Sequence, residues 1–208
     1  MSAEKYLQIL QEDIHSVIFA TADEKGLPVT CVIDIMLADH YGLYFLTAKG
    51  KAFYDRLKNQ PVISLTGLKG SDTMHSRSIT LRGEAREIGQ ERLNEIFVKN
   101  PYMGEIYPNK ESHSVLTVFQ IYKGNGEFFD LSSKPIFREK FSFGGMESHT
   151  TLFYITKKCS GCKSCFHICP EQCIDISKRP FQIRQEHCLH CGKCKEICPE
   201  QAVERGTV

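Results

Sequence analysis

Cys159-Ser160-Gly161-Cys162-Lys163-Ser164-Cys165-Phe166-His167-Ile168-Cys169-Pro170 and Cys188-Leu189-His190-Cys191-Gly192-Lys193-Cys194-Lys195-Glu196-Ile197-Cys198-Pro199 carry one pattern twice. Three cysteines are spaced by two residues, a fourth follows after three more, and proline comes next. The runs repeat at an offset of 29 residues (Cys159 to Cys188), and the register holds without a gap to Asp175 and Glu204. Of the ten cysteines, Cys31 alone lies outside residues 159–198. A disulfide scaffold would distribute its pairs through a secreted chain. Cysteines bunched at short fixed spacing, in a chain that opens without a signal-peptide pattern, read as metal ligands. Zinc would close one tetrahedral site with two cysteine pairs. It leaves the third cysteine of each run, and the proline, without a reason.

The two runs resemble the ligand runs of bacterial two-cluster ferredoxins. The resemblance implies two [4Fe–4S] clusters. Three thiolates along a tight loop meet three irons of one cube, and the fourth, before proline, ligates the other cluster. Cys159, Cys162, Cys165 and Cys198 are then one ligand set, and Cys188, Cys191, Cys194 and Cys169 the second. Cys173 has Ala202 as its repeat mate and reads as a small buried filler, with spare ligand or reactive thiol as the alternative. His167, His187 and His190 read as groups that tune or shield a cluster. Short strands are expected within Cys173–Ile183 and at Ala202–Glu204, covering the clusters.

Working outward, composition sets bounds. The chain has 208 residues, 41% of them apolar, and a net charge of +1. One or two domains with a real core are expected. The charge balance gives no sign of a nucleic-acid or membrane partner, and no apolar run reaches the ~18 residues of a membrane-spanning helix. A soluble, cytoplasmic protein is the expectation. Residues 1–143 are read as one domain, 144–152 as a linker around Gly144-Gly145, and 153–208 as the cluster domain.

The first of these domains reads as mainly β. Leu7, Leu10 and Ile14 have helical spacing within Ala3–Ile14. Strands are predicted at Ser16–Thr21, Pro28–Leu37, Leu43–Thr47, Pro61–Thr66 and Ser78–Ile88, with short helices at Phe53–Asn59 and Gln90–Lys99. Ser114–Tyr122 and Glu127–Leu131 are predicted to form a hairpin across Lys123-Gly124-Asn125-Gly126. Many antiparallel strands with only short helices argue for a barrel. No strand–GxGxxG–helix unit is present, which argues against a Rossmann site.

Three stretches, Ser16–Thr21 with Gly26–Thr30, Leu43–Lys51 with Lys58–Val62, and Ile79–Ala85, resemble the FMN-binding split barrel of the pyridoxamine 5'-phosphate oxidase superfamily. The fold class expected is therefore an antiparallel Greek-key split β-barrel with short helices, followed by a small α+β ferredoxin-like domain. The resemblance implies a homodimer with FMN at the subunit interface. It implies Lys51 as the phosphate-binding residue, with Lys49 an adjacent candidate, which suits a dianion beside a helix N-terminus. Thr47 is placed near the ribityl chain or phosphate, and Pro28, Val29 and Thr30 along the ring edge. The partner subunit would contribute from His75–Ser78. Arg82 is either a phosphate ligand or a solvent-facing strand residue. No motif in Ser132–Thr151 matches the substrate-binding segment of pyridoxamine phosphate oxidase itself. The chain resembles more the small split-barrel reductases, such as the nitroimidazole-reductase group.

These parts imply a flavin and iron–sulfur oxidoreductase that exchanges electrons with a small-molecule substrate. The alternative is an electron-transfer module serving a separate partner enzyme. A third reading has the barrel bind a deazaflavin or haem. No catalytic side chain stands out.

Overall fold

The computed structural model describes residues 2–147 and 151–207. The middle of the expected linker, 148–150, lies outside them. The chain begins with helix α1 (Ala3–Gln8), which widens into a π-helical stretch over Ile9–Ile14 and stops at His15, held at φ 63°. Strands β1 (Ser16–Ala22) and β2 (Pro28–Asp34) form a hairpin. The long strand expected over Pro28–Leu37 is broken at Ile35–Met36, after which β3 (Leu37–Asp39) pairs with β4 (Gly42–Ala48). Helix α2 (Ala52–Asn59) leads to β5 (Val62–Gly70) and β6 (Ser76–Gly89). Helices α3 (Leu93–Lys99), α4 (Met103–Ile106) and α5 (Lys110–His113) precede β7 (Leu116–Asp130) and β8 (Phe137–Phe143).

All eight strands share one antiparallel sheet in the order β2-β1-β5-β6-β7-β4-β3, with β8 also on β7. The two ends of that order are consecutive in sequence, joined only by Ile35 and Met36. A two-residue link spans only about 7–10 Å of extended chain, so the sheet must curl until its edges meet. Curling brings the two edges side by side, although β2 pairs only with β1 and β3 only with β4. It also encloses a core in which Phe19, Phe45, Leu65, Ile79, Leu81, Phe119 and Ile121 are buried, with Tyr6, Leu7 and Leu10 of the N-terminal helix packed in. Each such aromatic or aliphatic side chain contributes on the order of 1.5–3 kcal/mol. Alternation along β1 follows from this: Val17, Phe19 and Thr21 are buried while Ser16 and Ile18 face out.

The expected hairpin at 123–126 is not formed; β7 runs straight through it. Lys123–Gly126 are paired on one side with β6, from Glu84 to Leu81, and from Gly124 on the other side with β8. The glycines serve close packing there, not a turn. A Cβ on Gly126 would lie 2.5 Å from the Thr80 carbonyl oxygen and 2.6 Å from the Phe141 ring, and one on Gly124 would lie 2.7 Å from the Arg82 oxygen.

Beyond the barrel, β9 (Thr151–Ile155) pairs with the last strand, β12 (Val203–Thr207). Between them come α6 (Ser164–Ile168), β10 (Ile174–Asp175) paired with β11 (Gln182–Ile183), and α7 (Lys193–Glu196). Phe153, Ile155, Ile174, Phe181, Ile183 and Val203 form its small core together with the cysteines.

Candidate functional site: two thiol-lined hollows beside a barrel

The C-terminal unit has two hollows. One is lined by Cys159, Cys162, Cys165 and Cys198 among Ile155, Phe181, Ala202 and Val203. The other is lined by Cys169, Cys188, Cys191 and Cys194, with Cys173, Phe153, Ile174 and Ile183. In each, three thiols come from one run and the fourth from the other. The crossing follows from the fold: α6 and α7 carry Cys169 and Cys198 away from the loops that bear their own runs. Left-handed backbone lets those loops turn tightly, at Gly161 (φ 79°) and at its repeat mate His190 (φ 56°). A Cβ at Gly161 would also collide with the Arg179 guanidinium.

Burial raises the thiol pKa at Cys165 and brings Cys194 up to about 11. A buried thiolate therefore needs a bound cation to keep it charged. At Cys162 the Ser164 hydroxyl instead favours the thiolate. At Cys188 the Cys173 thiol does so most strongly, and the His190 backbone N–H and the Arg138 charge add to it, giving about 6. Cys173 is itself buried, with its sulfur 3.5 Å from that of Cys169 and its thiol pKa pushed up. Four thiols around an apolar hollow suit an iron–sulfur cluster.

The barrel contacts the loop that bears Cys188 of the second hollow. Arg138 on β8 donates from Nη1 to the Cys188 carbonyl (3.1 Å) and from Nη2 to Glu127 Oε1 (2.8 Å). His187 Nδ1 lies 2.8 Å from the Ile136 carbonyl oxygen. Arg138 Nε and His190 Nε2 are buried there without a protein partner. Arg138 carried no signal in the sequence, because nothing in the Ser132–Thr151 stretch marks which side chain turns toward the cysteines.

The barrel residues singled out from sequence fall into three places. Pro28, Thr30, Ser78 and Arg82 share the outer sheet face, and the register sets Thr30, Ala20, Ser64 and Arg82 in one cross-strand row. Val29 lies on the opposite face of β2, half-buried. Thr47 is buried on β4, and its Oγ1 has no hydrogen-bond partner. Such an orphan costs about 1–3 kcal/mol unless a ligand or water satisfies it. Lys49 and Lys51 are exposed just before α2, and Lys51 is its N-cap. Their ammonium groups, like the Arg82 guanidinium, form no ion pair with a described residue. His75 differs: Asp72 holds its Nδ1 at 2.8 Å and also caps the turn from Thr73.

Arg56 was not evident from sequence. It donates to Thr21 Oγ1 (2.8 Å), and with Lys51 its charge opposes the rise that burial imposes on the Cys31 pKa. Its position five residues after Lys51 on α2 was the available signal. An open cleft of about 670 Å³ lies beside it, lined by Asp23, Glu24 and Asp55 together with Lys25 and Arg56, so its carboxylates outnumber its cations and a phosphate dianion gains little there. Unpaired lysines at a helix start, with the Thr47 hydroxyl, fit a nucleotide phosphate better.

Residues 3–124 match the family model for pyridoxamine 5'-phosphate oxidase, and residues 158–202 match the 4Fe-4S dicluster domain model. No curated protein gives a significant match. Among solved structures, a NimC/NimA family protein from Clostridium acetobutylicum superposes with a TM-score of 0.55 at 18% identity, over 67% of this chain and 90% of that one. Campylobacter jejuni ChuZ gives 0.51 at 15%, over 72% and 65%, and a heme binding protein from Mycobacterium smegmatis gives 0.51 at 14%, over 72% and 62%. At these identities the likeness is one of fold. Because its first match spans more than half of the residues, the chain belongs to the pyridoxamine 5'-phosphate oxidase family, with a 4Fe-4S dicluster domain on the same polypeptide.

Proposed function

We propose that this protein is a flavin and iron–sulfur oxidoreductase in which the barrel and the dicluster unit exchange electrons, and which passes them to or from a small molecule. The observation that carries the reading is direct contact: Arg138 of the barrel is 3.1 Å from the backbone of Cys188, a ligand candidate. FMN, when bound, supplies both one- and two-electron chemistry, and the clusters supply one-electron chemistry. Cys159, Cys162, Cys165 and Cys198 hold one cluster, and Cys169, Cys188, Cys191 and Cys194 the other. Lys51 and Lys49 bind the phosphate, Thr47 Oγ1 gives its free hydrogen-bonding capacity to the same ligand, and the Thr30–Arg82 row supports the ring. His75 and Ser78 complete the flavin site from the partner subunit.

The outer sheet face supports a homodimer. Ile18 and Val32 are paired across β1 and β2, yet they are 57% and 67% exposed, with Leu68 on the same sheet 67% exposed. Apolar groups this exposed on a sheet are an interface signal, and a second copy would cover them together with the Thr30–Arg82 row.

Anaerobic purification, followed by iron, sulfide and flavin analysis and then titration with dithionite, tests the reading. Both cluster bleaching and flavin bleaching are expected in one sample. Clusters that reduce while bound flavin stays oxidised with every donor would overturn it. Among the described residues no helix is long and apolar enough to cross a membrane.

A further inference from the structure

The junction between barrel and dicluster unit contains a charge whose role the electron-exchange reading leaves open. Arg138 is only 18% exposed and Glu127 25%. Strands β7 and β8 place them side by side, with Phe129 opposite Arg138 in the register and its ring 5.0 Å from the guanidinium carbon. One arm of the guanidinium goes to Glu127 and another to the Cys188 carbonyl, while its buried Nε–H finds no protein acceptor. Glu127 therefore satisfies only part of the group. Both hollows are lined by residues of the dicluster unit alone, and the cation reaches one of them through its hydrogen bond to the Cys188 carbonyl on the loop of that hollow.

We propose that Arg138 sets the reduction potential of the barrel-side cluster, the one at Cys169, Cys188, Cys191 and Cys194, and that Glu127 attenuates it. The inference rests on both hollows holding clusters. Reduction adds one electron to a cluster and no proton is needed, so the site gains one negative charge. A nearby half-buried cation stabilises that form, and a nearby carboxylate opposes it. Charges and hydrogen bonds around cluster sulfurs are established levers on potential. The barrel, through a residue on its own strand, thus becomes part of one cluster's surroundings and not of the other's. Arg138 is a positioning and potential-setting residue here, not a catalytic one.

The test is a mediated dithionite titration of the full-length protein, followed by electron paramagnetic resonance, for wild type, R138Q, R138K and E127Q. R138Q should lower one of the two cluster potentials, changing the reduced-to-oxidised ratio at fixed potential on the order of tenfold, about 59 mV for one electron. E127Q should raise the same potential. R138K keeps the charge and should stay within a few-fold of wild type. The second cluster should be unmoved in all three. Shifts of the same sign in R138Q and E127Q, equal shifts of both clusters, or no shift in either variant would overturn the inference, since a merely structural role predicts no opposite signs. Iron and sulfide content is measured on each sample. Wild type lacking clusters would defeat the underlying reading, whereas intact clusters with unmoved potentials would defeat this inference alone.

Discussion

Replacing Gly126 by alanine tests whether β7 runs unbroken through Lys123–Gly126. In the structure a Cβ there would approach the Thr80 carbonyl oxygen to 2.5 Å and Phe141 Cζ to 2.6 Å. The oxygen belongs to the paired strand and cannot step aside. The ring is 6% exposed and packed on Tyr6 at 4.9 Å between centroids. Overpacking of this kind costs about 1–3 kcal/mol. At roughly 2–4 °C per kcal/mol for 150–250 residues, Tm should fall by about 2–12 °C. The control is G50A, where nothing lies within 4 Å of the added methyl and the backbone is not left-handed. It should leave Tm unchanged or raise it slightly. Thermal unfolding followed by far-ultraviolet circular dichroism, with the cluster absorbance recorded separately, gives the comparison. A second arm adds F141A. The double variant should recover part of the Gly126 cost, because one of its two collisions has gone, and the coupling between neighbours reads that relief. If G126A melts with G50A, these residues have slack, and the packing argument for glycine on a continuous strand is wrong.

Three further outcomes follow from the same geometry. C198A should destroy the cluster of the Cys159–Cys165 loop and C169A that of the Cys188–Cys194 loop, each halving iron content, while C173A retains both; iron analysis with electron paramagnetic resonance checks this, and a C173A protein short of one cluster would contradict it. K51A should lose selectivity for FMN over riboflavin by about tenfold or more, since a charge-assisted bond is worth about 1.5–3 kcal/mol, and flavin fluorescence titration measures it; equal loss for both flavins would move the phosphate elsewhere. I18E combined with V32E sets two like charges opposite one another on the outer sheet face and should give a monomer by sedimentation velocity, with flavin released; a variant that remains dimeric would exclude this face as the interface.

Much of this protein is written locally. The 29-residue repeat of cysteines and prolines states how many thiols each loop presents and which thiol leaves the loop, because ligand spacing is a short-range property. Alternation at Ser16–Ala22 marks a strand half-buried on one face, because side chains on a strand change sides at every residue. Other features depended on contacts that no window of sequence contains. Gly124-Asn125-Gly126 carries turn chemistry, but the close approach of Thr80, Phe141 and Phe143 makes those glycines places where two strands and two rings crowd together. Ile35–Met36 breaks a run of β-forming residues because the sheet closes there, and closure belongs to the whole sheet. Arg138 looks like any arginine on an alternating strand until β8 is laid on β7 and faces the Cys188 loop. Local spacing determined the kinds of chemistry present, and only tertiary packing decided which cluster site touches the barrel and through which charge, since distances between residues 50 apart are set by the fold and not by their neighbours along the chain.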